Sequence, residues 1–461
     1  MRIVVAGAGL SGLSLCQALK ERLASAGKSA DVILIESEDR VGGKIRTHKE
    51  KGYVMEWGPN GFLNNKPDTL ELCRKIGVDG LLLPSNDAAR RRFIYANGRL
   101  NEISGPGMVL GGLVSWPGKF RILKEYVIPK RTDPTDETLA DFTRRRLGPE
   151  ALEKLIGPMA SGVYGGDPER MSLKSCFPVI YNLEQTYGGL IRGMLGKMKD
   201  AKRDKKTPAA GPAGPGGVLT SFSGGLEVLT DSLRSAFKGE VVLASPVRSV
   251  TRTDAGFTVR HGEGGGPIEA DIFITASPSY AASGFLRDLD PAISGVLDKI
   301  PYVPMAVAAL GYKQEEVGRT LDGFGFLVGM KEGRKILGCL WDSSAFKGRA
   351  PEGCASLRLM AGGGRDFDTP ALPDESLTAL IKDELKITMG VTGTPEIVKI
   401  FRHEKAIPMY TVGHSERVAA LDRMEAKHKG LLFAGNAYRG VALNDCVREA
   451  YAVADKAMTL I

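Results

Sequence analysis

Residues 2–15 read RIVVAGAGLSGLSL, and this stretch decides the fold. The apolar run that opens it predicts a buried strand, and the residues after the last glycine predict a helix. Between them, Gly7 permits a tight turn, Gly9 lets a pyrophosphate approach the backbone, and Gly12 lets the helix lie close to the strand. Free N–H groups at the helix start would then face the phosphates. The stretch therefore predicts a dinucleotide-binding turn.

The residues that follow strengthen this prediction. A second apolar run, Val32–Ile35, ends at Glu36, an acid that can accept hydrogen bonds from a ribose hydroxyl. Soon afterwards comes RVGGK, Arg40–Lys44, a glycine pair suited to a second backbone approach, with an arginine available for phosphate. A lone glycine motif marks a simple turn about as often as it marks a cofactor site. Here, however, a strand, a helix, a second strand and an acid occur in the expected order. The extended pattern resembles that of the flavin amine oxidase-like superfamily, which implies FAD.

Composition limits the function classes. The chain has 461 residues, 43% hydrophobic and 25% charged, which is ordinary for a globular protein of two to three domains. Its net charge of +8 could attract nucleic acid, anionic lipid or an acidic substrate, but no nucleic-acid-binding motif is present, so we expect no nucleic-acid partner. The six cysteines form no C-x-x-C pair, which argues against bound metal and against disulfides.

The sequence predicts a cytoplasmic protein with at most peripheral membrane contact. It passes straight into a strand without a signal peptide, and no apolar run approaches the ~18–20 residues that span a bilayer. The apolar run 108–116 favours a buried loop or helix start, with an interfacial membrane anchor as the alternative, because Trp116 stands near basic residues. The Lys-, Pro- and Gly-rich stretch 197–217 favours a solvated loop, with lipid-headgroup contact as the alternative.

Two parts of the chain return to cofactor chemistry, one at each end. The run Leu431–Asn436 predicts a buried strand with a glycine turn, and Gly440–Asp445 leads into a last helix. Between the two ends, 101–196 is mostly helical, and a basic strand over Arg90–Tyr95 with one buried face precedes an Asn-Gly hairpin turn. An early and a late cofactor segment imply a discontinuous cofactor domain.

Several stretches together resemble the oxygen-dependent protoporphyrinogen oxidases. The resemblance covers essentially the whole chain, and its most specific parts are SGVYGGDPERMS at 161–172 and GNAYRGVALNDC at 435–446. It implies an oxidoreductase acting on CH–CH donors with oxygen as acceptor, late in haem and porphyrin biosynthesis. Protoporphyrinogen IX would lose six electrons in three two-electron steps, each ending in hydrogen peroxide, with hydride passing from a macrocycle carbon to N5 of noncovalently held FAD. No catalytic side chain is assigned.

The motifs and the resemblance give two sets of site residues. The residues expected at the cofactor are Gly7, Gly9, Leu10, Ser11, Gly12, Glu36, Ser37, Arg40, Gly42, Gly43, Lys44, Gly58, Pro59, Asn60, Val247, Ala276, Gly435, Asn436, Gly440, Val441, Ala442 and Asp445. Those expected at the substrate are Arg92, Phe324, Leu327, Met360, Gly162 and Gly166. Arg92 would grip a propionate, although the residues alone also allow an exposed edge strand. Without the resemblance, Phe324, Leu327 and Met360 would be interpreted as ordinary core residues.

We therefore predict a mixed α/β (α+β) chain with a Rossmann-like, two-layer FAD domain of the p-hydroxybenzoate hydroxylase and amine oxidase type. That domain comprises 1–60, 218–278 and 405–461, a mixed-sheet substrate domain comprises 61–100 and 279–404, and 101–217 forms a helical, membrane-associating domain. Coproporphyrinogen III is the alternative substrate. Amine oxidation, carotenoid desaturation or a non-catalytic scaffold are more distant alternatives, and a homodimer is left open. One departure from the resemblance is Gly61, where many members have serine.

Overall fold

The computed structural model describes residues 1–103, 111–203, 217–264 and 266–461. Its strands are β1 (Arg2–Ala6), β2 (Asp31–Ile35), β3 (Thr47–Glu50), β4 (Tyr53–Glu56), β5 (Phe62–Leu63), β6 (Leu82–Pro84), β7 (Phe93–Ala96), β8 (Arg99–Glu102), β9 (Leu219–Phe222), β10 (Glu240–Val242), β11 (Val247–Thr253), β12 (Gly256–His261), β13 (Ile268–Ala270), β14 (Ile272–Thr275), β15 (Tyr302–Lys313), β16 (Gly325–Val328), β17 (Gly338–Trp341), β18 (Cys354–Gly362), β19 (Ile397–Pro408) and β20 (Leu431–Phe433).

Its α-helices are α1 (Leu10–Ser25), α2 (Pro67–Lys75), α3 (Trp116–Leu123), α4 (Leu139–Arg146), α5 (Pro149–Ala151), α6 (Gly157–Tyr164), α7 (Leu173–Cys176), α8 (Pro178–Tyr187), α9 (Leu190–Arg203), α10 (Glu227–Ala236), α11 (Ser279–Leu286), α12 (Pro291–Leu297), α13 (Gln314–Val317), α14 (Asp342–Ala345), α15 (Asp374–Met389), α16 (His414–Lys427) and α17 (Leu443–Met458). Short 3₁₀ turns lie at Asp79–Leu81, Asp87–Arg90, Lys124–Val127 and Thr369–Ala371, and a π turn lies at Leu152–Ile156.

A parallel sheet of five strands, in the order β10-β2-β1-β14-β20, lies in the part of the chain expected to bind the cofactor, which we call the cofactor unit. Its strands are apolar because both faces are covered. Helices α1, α2, α10 and α17 pack on one face. On the other face lie the β11-β12-β13 sheet and helices α11, α12 and α16. The unit thus has three layers, which corrects the two-layer arrangement expected from the sequence.

A sheet of seven strands, in the order β19-β15-β18-β17-β16-β7-β8, lies in the part of the chain expected to bind the substrate, which we call the substrate unit. Its pairs are antiparallel except for β16 with β7, which makes it a mixed sheet, as predicted. Helix α15 buries Leu377, Ile381 and Leu385 against one face. The other face, which we call the front face, turns toward β3 and β4 of the cofactor unit. The mixed helix and sheet content and the Rossmann-like sheet confirm the predicted fold class.

Three local expectations need correction. Strand β19 runs to Pro408, past the boundary predicted at residues 404–405, because Pro408 still pairs with Tyr302. Strand β7 begins at Phe93, after a 3₁₀ turn, and all four of its residues are buried, since the sheet covers Phe93 and Tyr95 while Leu113 and Val114 cover Ile94. The single buried face expected there was therefore wrong.

The helical unit, α3 to α9, lies beside the front face. Residues 108–110 of the apolar run and most of the stretch 197–217 lie outside the described residues. Of the rest of the run, Leu113 and Val114 are buried, while Trp116 is exposed at the start of α3. Within the described ranges, no helix has both the length and the apolar character needed to cross a bilayer.

Candidate active site

The carboxyl edge of the parallel sheet gathers the predicted cofactor residues. Gly7 follows β1, Glu36 follows β2, Ala276 follows β14, and Gly435 stands two residues beyond β20. Parallel strands end at the same edge, and open α/β sheets bind their ligands there. Four segments that are far apart in the sequence therefore meet at one crevice.

The first turn is tight where helix meets strand and open where a phosphate would lie. A Cβ added at Gly12 would stand 1.9 Å from the Gly7 carbonyl oxygen, whereas one added at Gly9 would meet nothing within 4 Å. Helix α1 begins without a side-chain cap and without an acid in its first turn, which contains Leu10 and Ser11. Its first N–H groups are therefore free to bind an anion.

Glu36 is buried and is the centre of a hydrogen-bond network at the end of β2. Its carboxylate accepts hydrogen bonds from Ala8 N (2.6 Å), Ser37 Oγ (2.9 Å) and Glu38 N (3.0 Å). Its own carbonyl oxygen accepts from Ser245 N, just before Val247 at the start of β11. The acid thus holds the glycine turn and lies beside the loop leading into β11.

The second glycine pair packs directly on the first turn. Gly42 N donates to Ala8 O at 2.8 Å, and Gly43, at φ +56°, stands so close to Gly9 that a side chain would crowd it. Arg40 differs from expectation, because its guanidinium donates to the carbonyl oxygens of Val41, Gly43 and Ile45 and so braces the turn. Its Nε makes no hydrogen bond among the described residues and lies 3.9 Å from Glu38 Oε2. The open space at Gly9 suits a pyrophosphate.

Lys44 links this turn to the substrate unit. Its Nζ donates to Lys405 O (2.6 Å) and Ala406 O (2.5 Å) near the end of β19. Burial lowers the pKa of Lys44 to about 8. The ammonium group is therefore a tether between the two units.

A buried ion pair brackets the segment Gly58–Asn60. Arg358, in the middle of apolar β18, donates to Gly58 O at 2.8 Å and pairs with Asp342 at 3.2 Å. Asp342 in turn accepts from Asn60 Nδ2 at 3.0 Å. Sequence reasoning missed both charged residues, although an arginine inside an apolar strand is a signal that a buried partner exists.

Gly61 has a packing reason. A Cβ at this position would lie 2.4 Å from the Thr220 carbonyl oxygen, where β5 meets β9. The close approach of the two backbones therefore favours glycine at this position, where many members of the family that the sequence resembles have serine.

The last cofactor segment, 435–445, closes the crevice. Gly435 and Gly440 have φ values of +118° and +142°, which favour glycine. Val441 and Ala442 lead into α17, which begins without a side-chain cap. Asp445 pairs with Lys66 and Arg448, each at 2.9 Å. Its charge is thus already matched by two cations.

The front face of the substrate sheet carries two of the predicted substrate residues side by side. Leu327 pairs with Gly338, and Gly338 pairs with Met360, so all three point to the same face. Arg358 lies two residues before Met360 on that face and reaches Gly58. The half-buried apolar residues Leu327 and Met360 therefore adjoin the cofactor crevice.

Arg92 and Phe324 form a second pair at the rim. The Arg92 guanidinium lies 5.7 Å from the centre of the Phe324 ring and is half-buried, and this burial lowers its pKa. In the described part of the chain no carboxylate pairs with it, whereas neighbouring Arg91 pairs with Glu102 and Asp322. Arg92 is therefore available to an anionic ligand. Phe324 packs near Phe346, apart from Leu327.

Helix α6 covers the edge of the front face. A Cβ at Gly162 would lie 2.2 Å from Leu327 Cδ2, so the helix rests directly on that side chain. A Cβ at Gly166 would lie 2.4 Å from Met171 Sδ, inside the helical unit. Tyr164, which sequence reasoning did not assign, meets Phe177 edge to face at 5.2 Å, and burial raises its pKa to about 12. The sequence signal that could have identified Tyr164 was its place in the SGVYGGDPERMS stretch at 161–172.

Among the described residues, no group of three or more His, Cys, Asp or Glu side chains is placed to hold a metal ion. All six cysteines are described and none forms a disulfide. His414, buried under the 435–445 segment, has its Nε2 on Tyr438 O at 2.8 Å. It is placed to support the backbone.

Comparison with known proteins gives a consistent result. Residues 10–458 match the family model described as flavin containing amine oxidoreductase. A coproporphyrinogen III oxidase of Bacillus subtilis (strain 168) is 30% identical over 480 residues, 100% of this chain and 98% of that protein. A chloroplastic protoporphyrinogen oxidase of Oryza sativa subsp. japonica is 32% identical over 469 residues, 97% of this chain and 86% of that protein. A crystal structure of an Exiguobacterium sp. 255-15 protein superposes with a TM-score of 0.82 at 26% identity, covering 99% of this chain and 98% of that one.

Proposed function

The chain belongs to the flavin containing amine oxidoreductase family, and from this premise we propose that it oxidises protoporphyrinogen IX to protoporphyrin IX with oxygen. Its cofactor is FAD. The reaction removes six electrons in three two-electron steps, and each step reduces one O₂ to one H₂O₂. When bound, FAD supplies the hydride acceptor at N5.

The observation that carries this proposal is the pairing of an unmatched guanidinium with an apolar face beside the cofactor crevice. Arg92 is half-buried and has no carboxylate partner among the described residues. Leu327 and Met360 are half-buried apolar residues of the same sheet, and Leu327 pairs with Ile94, two residues beyond Arg92. A flat macrocycle with propionates needs both features, a wall for its rings and a cation for a carboxylate.

The chain's own part in the reaction is positioning. Arg92 would fix one propionate, and the front face with α6 would hold the macrocycle against the crevice and exclude water. The buried pair of Arg358 and Asp342 would hold Gly58–Asn60 in place. No side chain on the described face is poised as a general base, so we assign none.

The test is to supply the purified holoenzyme with each porphyrinogen in air while following porphyrin fluorescence and oxygen uptake. We expect protoporphyrinogen IX to be the faster substrate, because Arg92 is the cation we assign to a propionate, and a substrate with two propionates needs fewer such cations than one with four. Equal or faster oxidation of coproporphyrinogen III, the reaction named for the Bacillus relative, would overturn this choice. Absence of oxygen uptake would favour the non-catalytic alternative.

Peripheral membrane contact is part of the proposal, at a surface that begins with Trp116, the residue on which the sequence-based membrane alternative rests. Trp116, Phe120 and Leu123 are 66%, 67% and 63% exposed and lie on one face of α3, which Val127 extends. Such spacing of exposed apolar residues forms a stripe along a helix. Lys119 lies over the Trp116 ring at 4.4 Å, and Lys124 and Lys130 are exposed nearby. An apolar stripe flanked by lysines suits an anionic lipid surface at the inner face of the cell membrane.

Sedimentation with vesicles tests this contact. We expect the holoenzyme to pellet with phosphatidylglycerol-containing vesicles at low salt, less so at high salt, and not with neutral vesicles. Trp116→Ser with Phe120→Ser should abolish pelleting, whereas Phe367→Ser, a change at another exposed aromatic, should not. Protein that stays in the supernatant with anionic vesicles at low salt rejects the contact.

Sedimentation without vesicles tests the homodimer.

A further inference from the structure

Tyr410 occupies a junction of the three units. It follows β19 of the substrate sheet directly after Met409. Its carbonyl oxygen accepts a hydrogen bond from Ser172 N of the helical unit at 2.8 Å, and Cys176 Sγ lies 3.4 Å from the same oxygen. Its side chain reaches the 435–445 segment of the cofactor unit. One residue therefore contacts the substrate sheet, the helical unit and the cofactor segment.

The Tyr410 hydroxyl joins two points of that segment. It donates to Asn436 O at 2.6 Å and accepts from Gly440 N at 2.9 Å. Because the tyrosine is buried, its pKa lies well above the usual range, so the hydroxyl stays protonated and keeps its donor role. One oxygen thus closes the loop between Asn436 and Gly440.

The ring of Tyr410 is held as firmly as its hydroxyl. It stacks on His414 with 3.8 Å between ring centres and 10° between planes. His414 is held in turn by its bond to Tyr438 O, inside the same loop. Tyr410 and His414 therefore both hold the 436–440 loop by hydrogen bonds, and neither belongs to the predicted cofactor residues.

We propose that Tyr410 is a positioning residue that fixes the 436–440 loop, and through it the flavin environment. The proposal rests on the FAD of the proposed function and on the 435–445 segment of the candidate active site. The loop offers backbone N–H groups beside the start of α17, which stabilise negative charge on a reduced flavin. If the loop shifts, the flavin is held less tightly and its reduced form is less stabilised.

Tyr410→Phe is the direct test, because it keeps the ring and removes the hydroxyl. Asn436 O and Gly440 N would then lose their partner inside the protein, which we expect to speed FAD release by about tenfold. A matching tenfold loss of reduced-state stabilisation lowers the two-electron flavin potential by about 30 mV. Both are measured on the holoenzyme, release by flavin fluorescence after dilution and the potential against a reference dye.

Tyr438→Phe is the matched control. Tyr438 is equally buried, two residues beyond Asn436, but its hydroxyl has no hydrogen-bond partner among the residues that the structure describes. We expect this variant to release FAD at the wild-type rate and to keep the wild-type potential. If the two phenylalanine variants behave alike, the positioning role is rejected.

A second variant keeps the proposal testable if Tyr410→Phe does not fold. His414→Asn removes the ring that stacks on Tyr410 while leaving the hydroxyl, so both readouts should move in the same direction by about threefold. Unchanged readouts in this variant would also reject the proposal. Neither readout needs a porphyrinogen, so failure of the proposed substrate leaves this test intact.

Discussion

Gly9 separates two explanations of the opening glycine turn, namely turn chemistry and cofactor binding. Its φ of −70° and ψ of −178° suit any residue, and an added Cβ would meet nothing in the protein. Gly9→Ala should therefore leave the free energy of unfolding within about 0.5 kcal/mol of the wild type, or raise it slightly. It should nevertheless lose FAD, because the new methyl fills the space of the pyrophosphate.

Urea unfolding of apoprotein and flavin absorbance of purified protein measure these two effects. Gly284→Ala, inside α11, is the control, since its Cβ also meets nothing and it lies outside the predicted cofactor set. A Gly9→Ala protein that retains a full complement of FAD would show that the turn is only structural.

Arg92 allows a second test at the scale of one side chain. A charge-assisted hydrogen bond contributes about 1.5–3 kcal/mol, so Arg92→Ala should lower kcat/KM for protoporphyrinogen IX by roughly 10- to 100-fold. Most of the effect should appear in KM, because the propionate is bound equally in the ground and transition states. Arg91→Ala, which removes a guanidinium already paired on the surface, should change kcat/KM by less than about threefold. Similar values for the two variants would contradict the assignment.

Among the structural elements, β18 depends on one buried ion pair. Asp342 and Arg358 are almost fully buried, so Asp342→Ala leaves a buried guanidinium without its partner. We expect a loss of about 3–5 kcal/mol in the free energy of unfolding. Asp455→Ala, which breaks an exposed pair with Arg22, should cost about 1 kcal/mol or less. Urea unfolding of both variants measures the difference. Equal losses in the free energy of unfolding would show that the buried pair stabilises the fold no more than the exposed pair does.

Helix α16 begins with a histidine that makes the fold sensitive to acid. Burial lowers the pKa of His414 from 6.5 to about 4. As pH falls from 6.5 to 4, the unfolded chain binds a proton that the folded chain excludes, so stability is present above pH 6.5 and lost through this window. The difference of about 2.5 pH units corresponds to about 3 kcal/mol.

Unfolding by urea at a series of pH values checks this window. His414→Asn should be less stable than the wild type at pH 7 because it loses the stacking, yet its stability should fall less between pH 6.5 and 4. Parallel curves for the two proteins would mean that another group accounts for the acid sensitivity.

The elements differ in how far the sequence could predict them. The opening strand, the turn and α1 are local, and their glycines and apolar pattern determine them without help from the rest of the chain. The full burial of β7 was not predictable, because the cover on its second face comes from Leu113 and Val114. Tyr410 was missed for the same reason, since its partners Asn436 and Gly440 lie more than 25 residues away. Contacts between distant segments leave little trace in a single sequence.

At the scale of the whole molecule, the crevice is assembled from segments spread over the entire chain. Gly9, Glu36, Gly58, Ala276 and Gly435 come together through tertiary packing. Motifs at both ends of the sequence indicated this discontinuous arrangement. The tethers that hold it, such as Lys44 on β19, appear only in the structure. The candidate cofactor residues could thus be proposed from local motifs, whereas the packing that brings them together could not be predicted.

This assembly predicts that FAD stabilises the whole protein. A ligand that binds only the folded state adds about 2.7 kcal/mol at 100 times its dissociation constant and about 4.1 kcal/mol at 1,000 times. Removing FAD should therefore lower Tm by several degrees, and adding it back should raise Tm with the logarithm of its concentration. Differential scanning fluorimetry of protein stripped of FAD and then titrated with FAD measures this. FMN is the comparison ligand, because it lacks the adenosine that we propose Glu36 holds. Gly9→Ala should give the Tm of the stripped wild type at every FAD concentration, because it keeps the fold and loses the pyrophosphate space. A rise in its Tm equal to that of the wild type would place the nucleotide elsewhere than at the opening turn.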